Sequence, residues 1–398
     1  MAAVRALGWT LSAAFALLVL SISSSAQAYP WMIRHGYTGC TPCHTDPSGG
    51  AGVLTAYGRA QGDLLLRSRY GNTSEEAAST AGFLWGLVQP SDGLRVGGDF
   101  REAYFSLKPE GSPATQQFIT MRADLTADIV VDHVRAAGSL GYAPQGALAA
   151  SLTDSPSENF ISREHWVGYE FGEGESWLVR AGRMAIPFAI RNVEHNFWVR
   201  TLTRSDYNDT QQYGAALAFN VDQLRGEVMG IVGNFEVHPD DYRERGYSAY
   251  VEFAPVNTVA VGASSQFTRA TRDIVYNVTD YRQAHGLFAR VSPYPELVLM
   301  TEVDWVYQSL TWNGHRGGYA GFVQADVEPT QGLHFMATGE AMNSGSAGEP
   351  SSFGGWVSSV WFFAPHLDLR LDGGYQTLGS PVGYTNVWIW LAQAHVFL

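Results

Sequence analysis

From Leu94 to the end of the chain, apolar residues recur at every second position, segment after segment, and this period limits the fold more than any other feature. Ile119, Met121, Ala123, Leu125, Ala127 and Ile129 alternate with Arg122, Asp124, Thr126 and Asp128. Tyr247, Ala249, Val251 and Phe253 alternate with Ser248, Tyr250 and Glu252, and Leu367, Leu369 and Leu371 with Asp368, Arg370 and Asp372. Each such segment reads as a strand with one apolar and one polar face. A soluble sandwich alternates in the same way, so the choice of architecture rests on the number of strands and on the rhythm of their connections.

About 16 strands can be traced, at approximately 94–106, 117–131, 133–142, 163–171, 176–183, 212–221, 223–234, 246–254, 257–267, 283–292, 296–308, 316–327, 332–342, 353–364, 366–377 and 385–398, an even number as bacterial outer-membrane barrels require. Short turns at Asp132-His133, Gly172 to Glu175, Asp222, Pro255-Val256, Pro293 to Pro295, Pro329 to Gln331 and Pro365 alternate with longer loops. Short turns at one end and long loops at the other mark a barrel whose ends face periplasm and exterior. The expected fold is therefore all-β, an antiparallel transmembrane β-barrel preceded by a small irregular and helical segment. The 16% charged content, against about a quarter in soluble proteins, agrees with 13% aromatic residues and 43 glycines in favouring a membrane barrel. With 25 basic and 38 acidic residues the chain has no basic footprint for nucleic acid.

Four regions follow. Residues 1–28 carry Arg5, an apolar run from Leu7 to Ile22 and Ala26-Gln27-Ala28, the pattern of an export signal. Residues 29–70 contain the only two cysteines, residues 71–92 read as a linker, and residues 93–398 form the barrel. A helix is predicted from about Leu54 to Leu66, with Pro42, Pro47, Gly49, Gly50 and Gly52 favouring an irregular path before it. The longest barrel connection, Met184 to Gln211, carries Arg191, Glu194, His195, Arg200, Arg204, Asp206 and Asp209. It is either a lumenal constriction that selects by field and width or a solvated outer loop.

The cysteines stand in Cys40-Thr41-Pro42-Cys43-His44. Two thiols at this spacing can add across the vinyl groups of a haem, and the adjacent imidazole then becomes an axial ligand. A redox dithiol, half a zinc site or a disulfide would not need His44, and no second cysteine pair completes zinc ligation. Lipidation of Cys40 is disfavoured because Arg34 and His35 separate it from the apolar run. The expected cofactor is one covalent haem c, held by Cys40 and Cys43 with His44 on the iron.

Tyr37 to His44, continued through Pro47, Gly49 and Gly50 to Leu54-Thr55-Ala56-Tyr57-Gly58-Arg59, resembles the haem-bearing start of exported barrel proteins. Gly182-Arg183, Pro187-Phe188, Arg191 and Glu194-His195 are similar to their porin-like portion. The chain thus resembles a monohaem c-type cytochrome segment fused to an outer-membrane porin-like barrel. The resemblance implies residence in the outer membrane among its lipids, with the haem segment on the periplasmic side or inside the lumen. It also implies periplasmic or extracellular redox partners, and a homotrimer like that of general porins. The function it implies is a relay of electrons at or through the outer membrane; the alternative is a solute porin whose haem segment plugs, gates or senses. Either makes the protein a carrier or channel rather than a turnover enzyme. For the sixth position on the iron, His35 is nearest in sequence, and His334 and His395 face the lumen by parity. His195 could reach down from its loop, and Met32 is a further alternative.

Overall fold

A computed structural model describes residues 29–49, 53–70, 82–88, 93–143, 160–192, 197–206, 210–311 and 314–398. The proposed export signal, most of the linker, and Glu194, His195 and Asp209 lie outside the described residues. Among those described, one antiparallel sheet closes on itself. Its strands are β1 (Leu94–Pro109), β2 (Thr115–Val131), β3 (Val134–Tyr142), β4 (Phe160–Ile161, resuming at His165–Phe171), β5 (Trp177–Met184), β6 (Gln212–Val221), β7 (Leu224–Gly233) and β8 (Arg245–Val256). They continue as β9 (Val259–Ala270), β10 (Asp280–Tyr294), β11 (Leu297–Leu310), β12 (Gly314–Thr330), β13 (Leu333–Asn343), β14 (Ser352–Ala364), β15 (Leu367–Ser380) and β16 (Gly383–Phe397). Both pieces of β4 pair with β3, which makes sixteen strands. β1 pairs with β2 on one side and β16 on the other, and this closes the barrel.

The two faces are sorted by solvent. Leu125, Ile129, Val228, Val251, Leu287, Val323, Val357, Leu371, Trp388 and Trp390 point outward and are exposed, while Arg122, Asp124, Arg180, Glu227, Glu252, Glu302, Asp326 and Asp372 are buried inside. A lipid-facing barrel requires this inversion, because closure satisfies the strand backbone and leaves only side chains to meet hydrocarbon. No helix among the described residues is long and apolar enough to cross a membrane.

Several hairpins turn a few residues later than the prolines suggest. Pro255, Pro293 and Pro329 lie within β8, β10 and β12, beside register shifts in the ladders to the next strand. Proline has no N–H for the ladder, so it is accommodated where the register slips. Asp132 and Asp222 adopt left-handed φ of 51° and 50° at their tight turns, as short hairpins demand.

The lumen is filled. Residues 29–49 and 53–70 enter it as a 3-10 turn (Pro30–His35), an irregular stretch and helix α1 (Ala56–Leu65), close to the span expected. Thr55 caps α1 by accepting a hydrogen bond from the Gly58 N–H. The connection after β5 also folds inward, with helix α2 at Trp198–Thr203. Trp31, Met32, Ile33, Ile186, Phe188, Phe197, Trp198, Phe322 and Phe362 meet in one buried apolar cluster. The plug and the inward loop therefore share a core in the middle of a polar barrel.

Candidate functional site in the plugged lumen

The plug is tied to the wall along its length. Arg34 pairs with Asp326 and, at 2.9 Å, with Glu328. Arg290 donates to the carbonyls of Pro30 (3.2 Å) and Thr38 (2.8 Å), and Asn220 donates to the Thr41 hydroxyl at 2.9 Å. Arg135 donates to the Thr45 carbonyl at 2.9 Å, and Arg191 of the inward loop to the Gly49 carbonyl at 3.0 Å. Gln331 donates to the carbonyls of Leu64 (2.8 Å) and Arg67 (3.0 Å), and the Ser68 N–H to that of Phe362 (2.8 Å). The wall donors reach mainly to backbone carbonyls that an irregular segment leaves unpaired, so they do within the lumen what secondary structure does elsewhere.

A second buried ionic tie lies farther along the plug. Arg180 lies between Asp46 of the plug (3.2 Å) and Glu227 of the wall (2.6 Å), with side-chain exposures of 0%, 1% and 0%. Ser48 donates to Glu227 at 2.6 Å. Burial alone would push the Asp46 carboxyl up, but Arg180 and Arg191 outweigh it and hold the group down at about 2.

Beside this anchor the cysteine motif forms a single turn, in which the N–H groups of Cys43 and His44 donate to the Cys40 carbonyl at 3.1 and 2.9 Å. The turn is clipped to the start of α1. The Thr55 N–H donates to the Cys43 carbonyl at 2.9 Å and the Thr55 hydroxyl to that of Pro42 at 2.6 Å. A side chain at Gly58 would overlap the Cys43 carbonyl, so glycine permits this approach.

Cys43 and His44 line a cavity of about 120 Å³ between plug and wall. Its apolar lining includes Met32, Leu54, Leu66, Phe362 and Phe397, its basic lining Arg59, Arg101, Arg122 and Arg191, and two further imidazoles, His366 and His395, reach it from the barrel. Apolar walls, arginines and imidazoles form a donor set suited to a flat apolar ring with carboxylate substituents and a central metal. Cys40 and Cys43 are unbridged. Cys40 does not line the cavity; its Sγ accepts a hydrogen bond from Arg225 at 2.9 Å, so attachment through both thiols requires it to leave that bond. Among the described residues no group of three His, Cys, Asp or Glu side chains could hold a bare metal ion. A metal that arrives within a macrocycle needs only axial donors from the protein.

The other predicted ligands fall in different places. His35 is off the cavity, its Nε2 4.0 Å from Glu328, and burial pushes its imidazole below the usual value. His334 is fully buried, with Nδ1 3.2 Å from Asp326 and its ring 4.2 Å from that of Trp31, so it braces the Arg34 anchor rather than the cavity. Met32 and His395 line the cavity. His366, not singled out in the sequence, also does so. It follows Pro365 in a short turn, at φ 63° and buried, where strand parity gives no direction for a side chain.

Solved structures share this architecture. In-vitro folded OmpT, an outer membrane protein of Vibrio cholerae, superposes with a TM-score of 0.58 at 12% identity, covering 77% of this chain and 98% of that one. The outer membrane channel DcaP of Acinetobacter baumannii gives 0.56 at 10% identity over 80% and 99%. An anion-selective porin from Comamonas acidovorans gives 0.55 at 10% identity over 77% and 99%. Similarities at these identities establish the fold. Comparison with curated proteins finds no match. Residues 93–304, over half of the chain, match the family described as phosphate-selective porin O and P, and the chain belongs to that family of porin-like outer-membrane barrels.

Proposed function

We propose that the protein is an outer-membrane porin closed by its own N-terminal segment, and that this segment carries one covalent haem c through Cys40 and Cys43 with His44 on the iron. The observation that carries the closed-porin reading is the set of hydrogen bonds and ion pairs by which residues 29–70 fill the lumen. The short turns, at the end where Ser68 and Gln331 meet, fit a periplasmic entry for the plug. A homotrimer is the matching expectation, since one solved OmpT is a trimer form.

In planar bilayers the full chain should conduct weakly and a variant lacking residues 29–70 should show large, steady steps. A preference for anions in the unplugged variant would agree with the phosphate selectivity in the family's description. Equal conductance of the two proteins would overturn the plug.

A second reading, electron transfer, is favoured by one observation: Cys43 and His44 face the same cavity as two imidazoles of the wall. When bound, haem supplies a one-electron couple. One haem does not span an apolar belt about 25 Å tall, so this reading needs redox partners in the periplasm or outside. Liposomes enclosing a reduced dye should pass electrons to an external acceptor through the inserted protein and its partner; no transfer would discard it.

A further inference from the structure

We infer that His395 supplies the second axial ligand to the haem iron held by His44, and that Asp368 positions its ring. The inference rests on the haem reading of Cys40, Cys43 and His44 and goes beyond it by naming the wall residue that completes the site.

His395 lies on β16, paired with Arg101 of β1 and Asp368 of β15, so its backbone is fixed on both sides. Strands hold a ligand more precisely than loops do. The side chain is 4% exposed and lines the cavity that His44 lines from the plug. Its Nδ1 is 2.6 Å from Asp368 Oδ2, the arrangement in which a carboxylate takes one ring N–H and leaves the other nitrogen for a metal. That other nitrogen, Nε2, lies 3.2 Å from Asp99 Oδ1, a neighbour that also lines the cavity and has to give up this contact for Nε2 to serve the iron. Asp99 would not be stranded if Nε2 served the iron, because Arg101 and Arg122 lie within 3.2 and 3.6 Å of it.

The rivals at the same cavity are less prepared. The His366 ring packs edge-on against Trp85 and Phe397, at 6.0 and 5.7 Å between centroids, and its turn lacks the two-sided strand pairing that holds His395. Met32 would give a histidine–methionine site with a raised potential. Two-imidazole ligation has the added consequence of tying plug to wall through the cofactor.

The test uses the full-length protein purified with its cofactor, read by electron paramagnetic resonance and near-infrared magnetic circular dichroism. The wild type should be low-spin with two imidazoles and no methionine–iron charge-transfer band. His395→Ala should become high-spin and bind carbon monoxide when reduced, and added imidazole should restore the low-spin signal. His366→Ala and Met32→Leu should keep the wild-type signature. Asp368→Asn should remain low-spin with a higher potential, since the imidazole loses its carboxylate partner. If His395→Ala fails to assemble, as judged by heat-modifiable mobility on gels, His395→Met takes its place and should gain the methionine band. A wild-type signature in the His395 variants, or a methionine band in the wild type, would overturn the assignment while leaving covalent haem intact. Absence of haem staining from the denatured wild type would instead overturn the haem reading on which it rests.

Discussion

Arg180→Ala is expected to release the plug: the full chain should conduct in planar bilayers, and residues near Asp46 should become open to added protease. Arg180 is the cation between two buried carboxylates, Asp46 at 3.2 Å and Glu227 at 2.6 Å, and its guanidinium also lies 5.2 Å from the Trp166 ring. Removing one partner of a buried ion pair costs about 3–5 kcal/mol, because the remaining charge has neither water nor counter-ion. Here Glu227 of the wall would be left without a cation, while Asp46 of the plug would keep only Arg191 at 3.4 Å, so the loss acts on docking. A cost of that size lowers the docked-to-released ratio by roughly two to three and a half orders of magnitude. Adding Glu227→Gln should restore much of the closure by removing the stranded charge. Acid should mimic the substitution. The Asp46 group sits at about 2, below its ordinary 3.8, so its contribution is complete above pH 3.8 and is lost as the pH falls through about 2. Unchanged conductance in Arg180→Ala would mean that the backbone hydrogen bonds and the apolar cluster hold the plug without this anchor.

The barrel was legible because lipid imposes a rule on each strand separately. Outward residues such as Leu369 and Leu371 must be apolar, inward ones such as Asp368, Arg370 and Asp372 need not be, and the alternation can be read over a few residues. Strand ends were less legible: Pro255 and Pro329 look like turns but are absorbed at register shifts. The inward direction of His334 and His395 follows from the same parity. Their different surroundings do not, because they depend on what fills the lumen: Trp31 and Arg34 come to lie beside His334 and Asp326 across some three hundred residues of sequence. The charges of the inward loop are open to two readings for the same reason. Arg191 and Arg200 fit either a lumenal constriction or a solvated outer loop; in the fold both are buried and bonded to carbonyls and carboxylates of plug, loop and wall. The cysteine motif stands out by its spacing, whereas His366 shares the cavity from a turn that no periodicity covers.

Arg200→Ala should free the inward loop and change what the unplugged barrel selects. Arg200 grips Glu302 in a fork, Nη1 to Oε1 and Nη2 to Oε2 at 2.9 Å each, and also bonds the Ile190 carbonyl. Glu302 in turn accepts from the Ile190 N–H at 3.1 Å, so one side-chain pair holds both arms of the loop. Asp304 lies two residues along the same wall, fully buried beside Glu302. Without the guanidinium, two neighbouring acids remain in the lumen with no cation between them. The expected cost is about 3–5 kcal/mol, seen as a lower temperature of the heat-modifiability transition. In the background lacking residues 29–70, conductance should rise and the reversal potential in a salt gradient should move toward cations, since exposed carboxylates attract them. Arg200→Lys should fall between, because an ammonium supplies the charge without the planar fork. If neither conductance nor reversal potential moves, the loop is held by Phe188, Phe197 and Trp198 in the apolar cluster and by the Trp198 N–H bonded to Glu340 at 3.0 Å, and the ion pair is dispensable to the shape of the pore.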